Sequence, residues 1–174
     1  ASELSASMVD LAHFLRMLFA GGVGPGGRVL REETLRAMWG EGGGAAQGLF
    51  GLGFALSTLD SARRIGHGGW HYGFATELAA LPDERLGVAV SISMDGANAI
   101  SERIADEALR ALRASRSGAV AAAPLVTVPI PTERRRALEG TFRAAARTVV
   151  LEDRLGDLWL DDLRGDFPVL LRAL

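Results

Sequence analysis

The segment Ile65-Gly66-His67-Gly68-Gly69-Trp70-His71-Tyr72-Gly73-Phe74, followed downstream by Leu81-Pro82-Asp83-Glu84-Arg85-Leu86-Gly87-Val88-Ala89-Val90, decides how this chain is read. Leu86, Val88, Val90 and Ile92 alternate with Gly87, Ala89, Ser91 and Ser93, the period of two that belongs to a strand with one apolar face. Strands are predicted over 63–70, 74–81 and 86–93. Pro82-Asp83-Glu84-Arg85 has turn composition and is short enough to join the last two as an antiparallel hairpin. His67-Gly68-Gly69 then stands at a strand end, just before the turn into the next strand. A His followed by two glycines sets an ionisable ring beside backbone N–H groups that a ligand can approach without side-chain hindrance. On composition alone, a Gly-rich strand end with an incidental His is the competing reading.

Working outward, a further strand is predicted before this segment. Phe50, Leu52, Phe54 and Leu56 form its bulky face, and Gly51, Gly53 and Ala55 the small one. Upstream of that, Ser7 and Asp10 form a capping-box pattern, and Leu11, Phe14, Leu15 and Leu18 recur at helical spacing until Gly21 and Gly22 end the run. Residues 21–27 read as a loop, 32–39 as a short helix with Leu35, Met38 and Trp39 on its apolar side, and 40–48 as a second Gly-rich loop. Downstream, a helix over 101–114 is expected to bury Ile104, Ala108, Leu109 and Leu112, with Glu102, Arg103, Asp106, Glu107 and Arg110 outward. An antiparallel sheet with a covering helix is an α+β layer arrangement. After an Ala- and Pro-rich stretch, strands are predicted over 138–143, 148–151, 158–160 and 169–171. That is too little to close a barrel, so open edges are expected.

The 174 residues are 48% hydrophobic and 23% charged, an ordinary globular composition. Nineteen basic and 21 acidic residues give a formal net charge of −2, no footprint for gripping nucleic acid, so no nucleic-acid partner is expected. There is no Cys, which removes disulfides, thiolate nucleophiles and thiolate-bound metals. All the basic residues are Arg. Without Lys there is no Walker loop, no Schiff base and no Ser/Lys pair within this chain, because Arg stays protonated near neutral pH. No apolar run of about 18 residues is present, so no transmembrane segment is expected, and residues 1–10 lack the pattern of a signal peptide.

The order and spacing of several pieces resemble a family. Ile65-Gly66-His67-Gly68-Gly69, Gly73-Phe74, the run from Leu81 to Val90 and the covering helix look like the C-terminal part of the catalytic domain of the serine β-lactamase-like hydrolases. These comprise class C β-lactamases, D-alanyl-D-alanine carboxypeptidases, D-aminopeptidases and related carboxylesterases. Upstream, Ser5 to Leu18, then Gly27-Arg28-Val29-Leu30 with Thr34 and Met38, then Gly51-Leu52-Gly53-Phe54, are similar to the preceding segments of the same proteins. The resemblance implies a β-lactamase/transpeptidase-like antiparallel sheet covered by helices. It implies three motifs: Ser-x-x-Lys with the nucleophile, Tyr-x-Asn or Ser-x-Asn, and a third of Lys or His, a small residue and Gly. His67-Gly68-Gly69 matches the third. By resemblance, His67 polarises the site and binds an acidic or carbonyl group, and the backbone N–H of Trp70 is an oxyanion-hole donor, a role typically worth ~3 kcal/mol. Gly68 and Gly69 give backbone access, and Trp70, His71 and Tyr72 line the substrate cleft or form a packing cluster on the same hairpin.

The chain departs from the family at the other two motifs. Ser-x-x-Lys cannot occur without Lys, and the only Tyr, Tyr72, lies outside a Tyr-x-Asn pattern. The expectation is therefore a C-terminal catalytic-domain portion at 1–114, a linker at 115–132, and the start of an appended β-rich unit at 133–174. The nucleophile is expected on a missing N-terminal half or a partner chain, the substrate is a small amide or ester, and the isolated chain is expected to be inactive. The alternatives are a non-catalytic module of the same fold, or one subunit of a split enzyme. Unpartnered apolar faces predict self-association.

Four remaining patterns lead elsewhere. Gly22-Val23-Gly24-Pro25-Gly26-Gly27 matches G-x-G-x-x-G but follows a helix and holds a Pro, the wrong context for a dinucleotide. His67 and His71, four apart on a strand, do not suggest a metal, and no cofactor is expected. Arg134-Arg135-Arg136 reads as a solvated face. Asp157, Asp161, Asp162 and Asp166 lack calcium-loop spacing and read as turn or surface residues.

Overall fold

A computed structural model describes residues 5–40, 50–124, 126–144, 147–162 and 168–173. The chain forms two compact units, Ala1–Ala122 and Ala123–Leu174.

The first unit begins with α1 (Met8–Phe19), whose start is closed by the capping box: Ser7 Oγ accepts from the Asp10 N–H at 3.2 Å, and the Ser7 N–H donates to Asp10 Oδ2 at 2.8 Å. Next come a two-residue ribbon, β1 (Val23–Gly24) against β2 (Gly27–Arg28), and α2 (Glu32–Met38). The predicted loop at 21–27 thus contains a small hairpin. The central sheet has strands β3 (Ala55–Leu59), β4 (Ala62–His71), β5 (Phe74–Leu81) and β6 (Leu86–Ile92) in sequential antiparallel order. Asp60 and Ser61 join β3 to β4 with φ of 47° and 66°, the backbone that the tightest hairpin turns require. Arg110 anchors Asp60 in this turn through hydrogen bonds of 3.0 and 3.1 Å. Pro82–Glu84 makes a single 3-10 turn between β5 and β6, closed by Arg85 in the left-handed region.

The helix α3 (Asn98–Ser117) covers one face of this sheet, and α1 with α2 the other. Leu15, Met17, Leu18, Leu35, Phe54, Ile65 and Ala80 make the core on the α1 side. Leu59, Ala79, Leu81, Ala105 and Leu109 make the core under α3. Side-chain alternation divides β4 between these layers. Arg64, Gly66, Gly68 and Trp70 share a face directed to α3, while Ile65, His67, Gly69 and His71 belong to the face on the α1 side.

Three expectations are corrected in this unit. The strand predicted from Phe50 begins at Ala55. Gly51 donates to Phe54 O at 2.7 Å, Gly53 takes φ +82°, and Leu52 hooks onto Met38 O at 3.1 Å, so the chain reverses here. Phe54 and Leu56 pack in the core, but Phe50 and Leu52 stay 63% and 60% exposed. The third helix starts earlier and ends later than predicted, at a left-handed Gly118. It is also rolled about its axis. Ser101, Ala105 and Leu109 face the sheet, while Ile104 and Leu112 are 47% and 41% exposed. Small residues let the helix approach closely, and Asp106, expected outward, reaches Arg64 beneath it.

The second unit contains α4 (Thr132–Leu138) and a meander of β7 (Gly140–Ala144), β8 (Arg147–Arg154), β9 (Asp157–Asp162) and β10 (Val169–Leu171), ordered β10-β9-β8-β7. Val128 and Ala173 pair by two backbone hydrogen bonds of 2.9 and 3.0 Å. The Arg134–Arg136 run is helical, and its middle member is not solvated. Arg135 is buried, donating to Asp153 Oδ2 at 2.7 Å, Ile130 O at 2.6 Å and Thr132 Oγ1 at 3.2 Å. Asp166 lies outside the described residues.

Candidate functional site

Register places the His-Gly-Gly segment. The last β3 partner of β4 is Ala55, opposite Gly66. From His67 to His71, β4 pairs with β5 on one side, and among the described residues no strand covers the other. An extended ligand can add to a strand edge of this kind through its backbone N–H and C=O groups.

The predicted residues divide between the two faces. His67 is exposed, opposite Leu78, while Trp70 lies on the reverse face opposite Ala75, so their side chains do not meet. Proximity instead joins Trp70, His71 and Tyr72 at the hairpin tip. Ring centroids are 5.7 Å apart for Trp70 and Tyr72, and 5.3 Å for His71 and Tyr72. Phe74 pairs with His71 in the register and is half exposed beside them. His67 and His71 share a face, but four residues of strand span about 13 Å, too far for one ion. No group of three or more potential metal ligands clusters among the described residues.

Residues that sequence reasoning passed over hold this tip in place. Asn98 Nδ2 donates to Gly69 O at 3.0 Å, and Asp95 Oδ1 accepts from the Gly73 N–H at 2.6 Å. Both come from the start of α3 and the loop before it. Behind the motif lies a buried ion cluster. Arg64 Nη2 bonds Glu77 Oε1 at 3.0 Å, Arg64 Nε bonds Asp106 Oδ1 at 2.8 Å, and Glu102 lies 4.0 Å away. Arg64 and the Glu77 side chain are nearly inaccessible to solvent. Burial works against the Arg64 charge, but Asp106 and Glu77 outweigh it and hold the guanidinium above its ordinary pKa. Burial pushes the Glu77 carboxyl upward, Arg64 opposes that, and Glu102 and Asp106 add to the rise. The two directions are compatible, since the cation has two close carboxylates while Glu77 feels one cation and two like charges. The signal that could have found this cluster is Glu77 itself, the sole charge in Phe74–Leu81.

A cavity of about 290 Å³ lies at the far end of β4, lined by Leu18, Leu35, Trp39, Arg63 and Asp83 among others, and does not reach His67. No helix among the described residues is long and apolar enough to cross a membrane.

The Beta-lactamase family profile matches residues 1–113. The octameric penicillin-binding protein homologue from Pyrococcus abyssi is similar in fold, with a TM-score of 0.53 and 19% identity over 96% of this chain and 37% of that one. SurE, solved with D-Leu, aligns with a TM-score of 0.35 and 24% identity over 79% of this chain and 32% of its own. No curated protein matches. This chain therefore spans about a third of the length of the solved proteins to which it is similar.

Proposed function

The chain belongs to the Beta-lactamase family over residues 1–113, and from that premise we propose that it carries the His-Gly-Gly part of a serine-hydrolase active site of the β-lactamase, D-Ala-D-Ala peptidase or esterase type. The observation that carries this reading is the position of His67-Gly68-Gly69 on β4, beyond the end of β3, where β5 pairs with one side and no described strand pairs with the other. In this reading the exposed imidazole of His67 stabilises developing charge and helps bind substrate. The N–H of Trp70 donates to the oxyanion, Gly68 and Gly69 leave the backbone approachable, and His71 and Tyr72 border the substrate. The acyl-accepting Ser comes from sequence outside these 174 residues, consistent with the absence of Lys from the chain. The isolated chain is then inactive, and residues 133–174 open an appended β-rich domain.

The test is made on the longer protein that contains this chain. A fluorescent penicillin or fluorophosphonate labels it covalently, while the 174-residue chain alone stays unlabelled. His67→Ala lowers kcat/KM by about tenfold or more; a loss below about threefold overturns the role given to His67. A longer protein that no acylating probe labels overturns the hydrolase reading and leaves a non-catalytic module of this fold.

A further inference from the structure

Glu77 sits directly opposite Gly68 in the β4–β5 register. Residues opposed in this way ordinarily bring their Cβ atoms about 5 Å apart. Here Gly66 and Gly68, adjacent positions on the α3 face of β4, carry no Cβ, and the absence leaves a trough along the back of the strand. The Glu77 carboxylate lies in that trough. A Cβ built on Gly66 would stand 3.1 Å from Oε1, and one built on Gly68 would stand 3.1 Å from Oε2. Arg64, the preceding residue on the same face, clamps Oε1, and Asp106 ties Arg64 to α3. Asn98 fixes the carbonyl of the next residue, Gly69, from the same helix. Apolar packing would fill this space at lower electrostatic cost, because two desolvated charges are maintained only by close pairing. The pair is also more directional than an apolar contact: the trough, the clamp and the helix must all be in register.

We propose that Glu77 is a positioning residue whose carboxylate braces β4 from behind and so sets how the opposite face presents His67. The first glycine of the Gly68-Gly69 pair is then required by Glu77 as well as by ligand access. The proposal rests on the reading of His67-Gly68-Gly69 as part of a catalytic site, but its test involves no catalysis.

The experiment is a double-mutant cycle in the 174-residue chain, comparing Gly68→Ala, Glu77→Ala and the double variant. Amide hydrogen exchange over 67–71 and the His67 imidazole resonances are read by NMR, with the amides of β6 as internal reference. Gly68→Ala is expected to reduce protection over 67–71 by about tenfold and to shift the His67 resonances, but in the Glu77→Ala background its effect falls to about twofold or less. The β6 amides stay within about twofold throughout. Equal effects of Gly68→Ala in both backgrounds, or losses spread evenly across β6, overturn the brace. Should Glu77→Ala fail to fold, Arg64→Met/Glu77→Ala removes both buried charges, and the same cycle on that background decides. A brace found in this cycle together with an unlabelled longer protein leaves the brace standing and removes the hydrolase reading; the reverse pair of results does the opposite.

Discussion

Gly66 and Gly68 differ in what a methyl group would meet. At Gly68 the nearest atom is a carboxylate oxygen at the end of a flexible side chain, whereas at Gly66 a Cβ would lie 2.5 Å from the backbone oxygen of Leu78. The clamped carboxylate, 3.1 Å away, has to give only slightly, but a carbonyl locked in a sheet cannot make room for the closer clash. Gly66→Ala is therefore expected to destabilise the first unit by about 2–3 kcal/mol, at the upper end for overpacking, and more than Gly68→Ala does. Urea unfolding of the two variants checks the order, and a smaller loss for Gly66→Ala would contradict the argument. His67 is a different case. Its identity as a chemical candidate follows from the residues around it in the chain, whereas its separation from the Trp70 side chain follows from the two-residue period of β4.

At the scale of elements, α4 shows how a charged helix can be structural. Arg135 turns inward from Thr132–Leu138 to meet Asp153 of β8, and Asp153 also accepts from the Gly156 N–H at 2.9 Å. The Arg135 hydrogen bond, more than any other contact, holds the Asp153 carboxyl below the usual carboxylate pKa. A depressed folded-state pKa contributes stability above the unfolded value, about pH 4, and that contribution is lost as pH falls through the folded value. Asp153→Asn should therefore weaken the second unit at neutral pH and flatten its acid sensitivity below about pH 4. NMR signals of β8 amides followed from pH 6 downward test this, and an unchanged acid profile would refute it. Periodicity located the β8, β9 and β10 strands of this unit to within a few residues. It missed α4, because Thr132-Glu133-Arg134-Arg135-Arg136-Ala137-Leu138 has almost no apolar face, and its inward residue is a cation whose partner is 18 positions away. The roll of α3 escaped for a similar reason. Its most apolar stripe holds Ile104 and Leu112, but the face that packs on the sheet is the one with small residues and Asp106.

Across the molecule, large apolar side chains remain in contact with water. Ile100, Ile104 and Leu112 on α3, with Phe50 and Leu52 before β3, are exposed apolar side chains that another copy of the chain could cover. The 174-residue chain is expected to self-associate. Sedimentation at rising concentration should show the average mass increasing, and Ile104→Glu/Leu112→Glu should reduce that increase; a concentration-independent monomer would refute the expectation. The family itself was readable from local order along the chain, because turn residues, the two-residue period and the His-Gly-Gly spacing are properties of neighbours in sequence. The capping box of α1 and the hairpin between β5 and β6 are set in the same way, by contacts a few residues apart. What required the folded chain were the pairings between distant residues: Arg64 with Glu77 and Asp106, Asn98 with Gly69, and Asp95 with Gly73. Composition carries no trace of those partners, since any carboxylate or amide of suitable length could serve. The sheet register and the close approach of α3 select which one does.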